Sequence, residues 1–262
     1  MKVRGRTITC SFILLLLLAA SGSAFAAHPL ISDDAGTLGI AVIQVEITGA
    51  IGTDKETIAG STTKRDSSKI STTVGYGLQD KLDISFGVAR PWGSLNVDGL
   101  NTNDPGSVDF SFGAKLRIYE NDGINIALKP SVGYSYAVNS HSDDHTPSYG
   151  AAVVLSKELE PFSLHLNLGY TYNDYNLTGT GRNSIWNFST AAIYEAGKEM
   201  KLVVDIGGSS NGDRTASEIP AFALLGTIYT INRKIDASIG GKIGLTKPET
   251  DFTALFGFTL KL

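Results

Sequence analysis

A single cysteine, Cys10, stands near the start of the chain, ahead of an apolar run. Once a leader containing it is removed, the remainder has no thiol. That excludes disulfides, thiolate metal sites and cysteine nucleophiles. Long apolar runs are also missing. The longest is Phe12 to Ala20, nine residues, against the roughly 20 that a membrane-spanning helix needs. Mean hydropathy is near neutral at +0.03, far below that of a helical membrane protein. There is no excess of basic charge: without Lys2, Arg4 and Arg6, 19 Lys and Arg face 26 Asp and Glu, a net charge near −7. A nucleic-acid partner, which would favour a basic patch, is therefore not expected.

The first residues have the layout of a secretory signal: a basic start, the apolar run with five leucines from Leu14 to Leu18, then the small-x-small triplet Ala24-Phe25-Ala26. Cleavage is expected after Ala26, giving a signal peptide over 1–26 and one domain over 27–262. Cys10 precedes the run, whereas a lipoprotein signal places its cysteine after it, at the cleavage point.

Beyond the signal the hydrophobic period is two. Leu82, Ile84, Phe86 and Val88 alternate with Asp83, Ser85, Gly87 and Ala89. Phe110, Phe112, Ala114 and Leu116 alternate with Asp109, Ser111, Gly113, Lys115 and Arg117. Leu164, Leu166 and Leu168 alternate with Ser163, His165, Asn167 and Gly169. Successive strand side chains point to opposite faces, so each segment has one apolar face and one small or polar face. About 12 such segments are expected, with weaker ones near 149–157, 200–208 and 219–231.

A soluble sandwich would alternate too, but three features point to a transmembrane antiparallel up-and-down barrel. The polar face is rich in Gly, Ser and Thr. Connections alternate between long polar stretches (53–68, 91–106, 139–148, 174–182, 209–217, 245–251) and short ones (79–81, 119–123, 158–161, 196–199, 232–234), as outer loops and periplasmic turns do. Aromatics with polar edges sit at strand ends: Trp92, Tyr119, Tyr170, Tyr172, Trp186, Tyr194 and Tyr229. The final segment carries Phe252, Ala254, Phe256, Phe258, Leu260 and Leu262 on one face, a pattern similar to the C-terminal signal read by the barrel insertion machinery. Bacterial outer-membrane lipid and lipopolysaccharide are then the expected surroundings, and a small-molecule solute the expected cargo.

Charge on the lipid face costs about 2–4 kcal/mol for Lys or Arg at mid-bilayer, so parity assigns the charged residues a side. Glu46, Asp83, Asp109, Lys115, Arg117, Lys129, His165, Asp205, Asp236 and Lys242 should face the interior, where they either line a polar channel or pair and close it. Catalytic chemistry is not expected. Lipid hydrolases of this architecture place histidine two positions before the nucleophilic serine; Ser210 has Gly208 there, and Ser142 has Ser140. His141, Asp143, Asp144 and His145 form a polar cluster in an outer loop that reads as solvated, and neither metal nor cofactor is expected.

Two stretches resemble a known family. His28-Pro29-Leu30-Ile31-Ser32-Asp33-Asp34-Ala35-Gly36-Thr37-Leu38-Gly39 is similar to the mature start of the outer-membrane transporter family labelled for a meta-cleavage pathway of phenol degradation. Gly106 to Arg117 resembles its central Gly-x-x-Asp strand, and Pro220 to Gly226 followed by Ile235-Asp236 also fits. Many members carry Gly-Lys-Gly where this chain has Gly39-Ile40-Ala41. The resemblance implies a barrel linked to uptake of hydrophobic or aromatic compounds, with His28, Pro29, Asp33, Asp34, Gly36 and Gly39 as its N-terminal motif. Whether that motif enters the lumen as a plug or lies in the periplasm is open at this level.

Overall fold

The computed structural model describes residues 28–58, 60–138, 145–174 and 181–262; the expected signal peptide lies outside them. Alternation becomes strand throughout: β1 (Ile43–Ile58), β2 (Ser61–Gln79), β3 (Leu82–Val97), β4 (Leu100–Asp104), β5 (Ser107–Asn121), β6 (Ile124–Ala137), β7 (His145–Leu159), β8 (Phe162–Asn173), β9 (Ser184–Glu195), β10 (Met200–Ser209), β11 (Ala221–Asn232), β12 (Ile235–Gly244) and β13 (Phe252–Lys261). All pairings are antiparallel between neighbours. β1 closes on β13 from Gln44↔Lys261 to Thr53↔Phe252. The result is a 12-strand barrel, with β4 attached only to the outer part of β3.

The two faces invert the pattern of a soluble protein. Outward residues are apolar and exposed, such as Ile47 at 47%, Leu168 at 55% and Leu225 at 67%. Inward residues are polar and buried: Ser156, His165 and Asp205 are at or below 1%. Apolar area left in water costs roughly 25 cal/mol per Å², so this outer band belongs in lipid. Exposed rings edge it at both ends of the strands. Trp92, Tyr149, Tyr172 and Trp186 lie toward one rim; Tyr119, Tyr194 and Tyr229 lie toward the other. The latter rim holds the short turns and both ends of the barrel chain, where Ile43 and Leu262 exchange main-chain hydrogen bonds. By the loop-length rule it is the periplasmic side.

Two expectations are corrected. Residues 53–68 and 91–106 are not loops. Pairing continues through Asp54↔Arg65 to Ile58↔Ser61 and through Thr63↔Val97, so a ribbon of sheet rises beyond the membrane zone. β-branched threonines sustain it, with the Thr57 and Thr62 hydroxyls 3.1 Å apart. Asp98-Gly99 turns it: both residues have positive φ, 50° and 92°, as a two-residue primed hairpin turn requires. The inner face is also not uniformly polar. Ile193, Val203, Phe222, Leu224 and Ile228 form a buried apolar patch inside the barrel, with Leu30 and Leu255 packed against it. Strands apolar on both faces lose the period-two signal, which is why 200–208 and 219–231 read weakly.

Candidate functional site: a plugged lumen

Before joining β1, the segment from His28 to Leu38 runs inside the barrel. Its main-chain donors need acceptors once they leave water, and inward wall residues supply them. Ile31 and Ser32 N–H both donate to Asp205 Oδ2 at 2.7 Å, and Ser32 Oγ donates to Asp205 Oδ1 at 2.8 Å. Asp33 N–H donates to Asn167 Oδ1 at 3.0 Å, and the Asn167 amide returns a bond to the Asp33 carbonyl. Ala35 N–H donates to Ser156 Oγ at 2.8 Å, and that hydroxyl lies 2.8 Å from His165 Nδ1. Leu38 N–H reaches the Asp83 carboxylate at 2.9 Å. Thr37 Oγ1 donates to the Asp80 carbonyl in the β2–β3 turn. The segment thus crosses the periplasmic half of the lumen and is held by its backbone.

Shape completes the docking. Pro29 lies on the inner faces of Gly226 and Gly240, and His28 on Gly257; a Cβ on Gly240 would come within 2.9 Å of the Pro29 ring. On Gly77 a Cβ would collide with the Gly39 carbonyl. Leu30 enters the apolar patch. The wall is cut to the segment residue by residue.

Charge fixes its centre. Lys115 Nζ is 3.0 Å from Asp33 Oδ1 and 3.8 Å from Asp34 Oδ1, and Lys129 also pairs with Asp33. Burial alone would raise the Asp33 carboxyl; the two ammonium groups overcome that and hold it well below the ordinary carboxylate range. The Asp33 and Asp34 carboxylates also accept the N–H groups of Asp34 and Gly36, closing a tight turn. Burial pushes the His28 imidazole down to about 4, so it is neutral at pH 7.

All ten residues assigned to the interior by parity lie on the inner face, but they serve different ends. Glu46, Asp83 and Asp205 accept main-chain bonds from the N-terminal segment. Lys115 and Lys129 pair with it, and His165 backs the serine that binds it. The other four bond to groups of the wall, the turns or the outer connection. Asp109 accepts from Ser107 and Ser135 in the outer half. Arg117 donates to the Asp80 carbonyl and pairs with Glu120. Asp236 pairs with Lys261 near the periplasmic rim, and Lys242 pairs with Glu249 near the outer mouth. Of the N-terminal motif, His28, Pro29, Asp33, Asp34 and Gly39 touch the wall or shape the turn, and Gly36 closes that turn. Ser210 Oγ accepts from Trp186 N–H, so it extends the pairing of β9 with β10 at their outer ends. Ser140, His141, Ser142, Asp143 and Asp144 lie outside the described residues; His145 stacks on Tyr134.

Space remains beside and above the segment. A cavity of about 500 Å³ is bounded by Asp33, Lys115, Lys129, Thr73 and Asn187. A second, of about 300 Å³, shares Ile31, Ala152 and Asn187 with the first. An outer vestibule of about 740 Å³ shares Lys242 with the second. The three lie in series from the outer mouth to the plug.

Residues 46–262 match the family described as "Putative MetA-pathway of phenol degradation". The chain belongs to this family. The match begins inside β1, so the docked segment precedes it. Among solved structures, an outer-membrane channel from Pseudomonas putida F1 superposes with a TM-score of 0.65 at 14% identity, covering 87% of this chain and 98% of that one. The NanC porin gives 0.57 at 13%, covering 83% and 100%, and the CymD monoaromatic hydrocarbon channel 0.50 at 8%, covering 86% and 88%. At such identities the likeness establishes the fold of an outer-membrane β-barrel. No curated protein matches the chain.

Proposed function

We propose that this member of the family is a passive channel of the bacterial outer membrane for small molecules, hydrophobic or aromatic compounds among them, with the N-terminal segment as its constriction. The observation that carries the reading is the series of three cavities between the outer mouth and the plug, lined by polar and apolar groups together. A lumen built only for rigidity would fill that space with side chains, as small barrels do. The structural neighbours that are channels or porins, one of them for monoaromatic hydrocarbons, support the same reading. No catalytic role is assigned. We read residues 1–26 as the cleaved signal, lipid and lipopolysaccharide as the barrel's surroundings, and the strand ending at Leu262 as the segment recognised by the insertion machinery.

The test is a planar-bilayer recording on the mature chain, joined to a liposome flux screen with aromatic and aliphatic solutes. Discrete conductance steps and solute entry are expected. Protein that shifts on SDS gels only after boiling, hence folded, yet stays silent in both assays would overturn the channel and leave a closed barrel whose outer loops and ribbon bind partners.

A further inference from the structure

We propose that Lys242, with the ring of Phe222, forms a binding subsite for a monoaromatic carboxylate at the junction of the outer vestibule and the inner cavities; the proposal rests on the channel reading and names its solute class. Lys242 lines both spaces that meet at that junction. Its ammonium group sits 5.6 Å from the centroid of the Phe222 ring, and that ring is 6% exposed on the inner wall. A carboxylate already occupies the cation: Glu249 Oε1 is 2.6 Å from Lys242 Nζ, and both side chains are about 15% exposed. Glu249 does not belong to the wall. It lies on the outer connection between β12 and β13, which is pinned back over the mouth by Thr246, whose hydroxyl accepts Ala221 N–H and donates to the Ile219 carbonyl.

The inner of the two spaces, about 300 Å³, has Lys242 and Glu249 as the only charged residues along its lining among the described residues, with Phe222 and Pro220 as apolar surface and Asn187 as an amide. A largely buried ammonium is stabilised by a paired anion. A solute that displaces the Glu249 side chain must supply that anion in its place. A carboxylate replaces the Glu249 carboxylate group for group, and an aromatic ring behind it meets the Phe222 face. Glu249 is thus a built-in competitor, exchanged on entry and returned on release.

Calorimetric titration of the detergent-solubilised mature chain with benzoate tests this, using benzyl alcohol, benzylamine and acetate for comparison. Benzoate is expected to bind best. K242M should weaken it at least tenfold, and E249Q should tighten it severalfold, because the competing charge is gone; E249Q also covers the case in which K242M fails to fold. Equal benzoate affinity in wild type and both variants, or binding of benzyl alcohol and benzylamine as tightly as benzoate, would overturn the subsite. Conductance by a wild-type channel that does not bind benzoate sinks the subsite and keeps the channel. Benzoate binding by a barrel with no conductance keeps the subsite and sinks the channel.

Discussion

Asp205 is fully buried, and its carboxylate receives three hydrogen bonds from Ile31 and Ser32. Bonds to a charged group contribute about 1.5–3 kcal/mol each when buried, so D205A, which removes three, should weaken plug docking by about 4.5–9 kcal/mol while leaving the lipid face untouched. Ala35, in the segment itself, is fully buried against Ala127 and Val154 of the wall, and the mature chain has no other thiol, so A35C is a clean reporter. Maleimide labelling of A35C is expected to quicken at least tenfold when D205A is added; an unchanged rate would mean the segment is held by something else. His28 gives a second handle. Burial disfavours its charged form, so the docked value of about 4 lies below the undocked 6.5. Docking is at full strength above pH 6.5 and is lost progressively as the pH falls toward 4. Conductance should rise over that window in the native chain, and H28Q should remove that part of the rise.

At the scale of the strand, parity assigns the ten residues a face, because one misplaced charge in lipid outweighs most local preferences. What those residues hold was not legible. The plug is recognised through its backbone N–H groups, which every non-proline residue carries, so no side-chain pattern in Ile31 to Leu38 announces Asp205, Asn167, Ser156 and Asp83 as its partners. The inner patch around Leu224 was hidden for the opposite reason: with lipid outside and Leu30 inside, β10 and β11 are apolar on both faces and their alternation fades. The ribbon of β2, β3 and β4 was readable in part, since Asp98-Gly99 is a strong hairpin signal that outweighs the polar composition of 91–106. β8 lets the two faces be compared directly. L166K puts a cation on the lipid face near the middle of the strand and should cost about 2–4 kcal/mol, read as a lower urea midpoint for folding into vesicles. G240V, on the inner face of β12 under Pro29, should leave that midpoint nearly unchanged and displace the segment instead, seen as faster A35C labelling. Equal midpoint losses in both variants would contradict the assignment of faces.

For the molecule as a whole, closure and occlusion are separate inventions. The barrel closes by the β1–β13 ladder, which needs nothing from residues 28–38. Among the described residues, occlusion of the periplasmic half comes from a segment that the wall accommodates with glycines and satisfies with carboxylates. The outer half keeps its cavities, so resistance to a permeating ion is concentrated where the segment lies. Removing residues 29–38 from the mature chain should therefore leave a barrel that still inserts and still shifts on boiling, with a several-fold larger conductance. Its inner wall would then expose Asp83 and Asp205, each stripped of the N–H groups it accepted, and Glu46 beside them, against Lys115 and Lys129 freed from Asp33. The deletion takes away the Asp33 and Asp34 carboxylates, so this stretch of the lumen becomes less negative by two charges, which predicts a shift toward anions, measurable as a reversal potential in a salt gradient. A larger conductance without that shift would place the permeation path away from these residues, and an unchanged conductance would show that the constriction is not the plug.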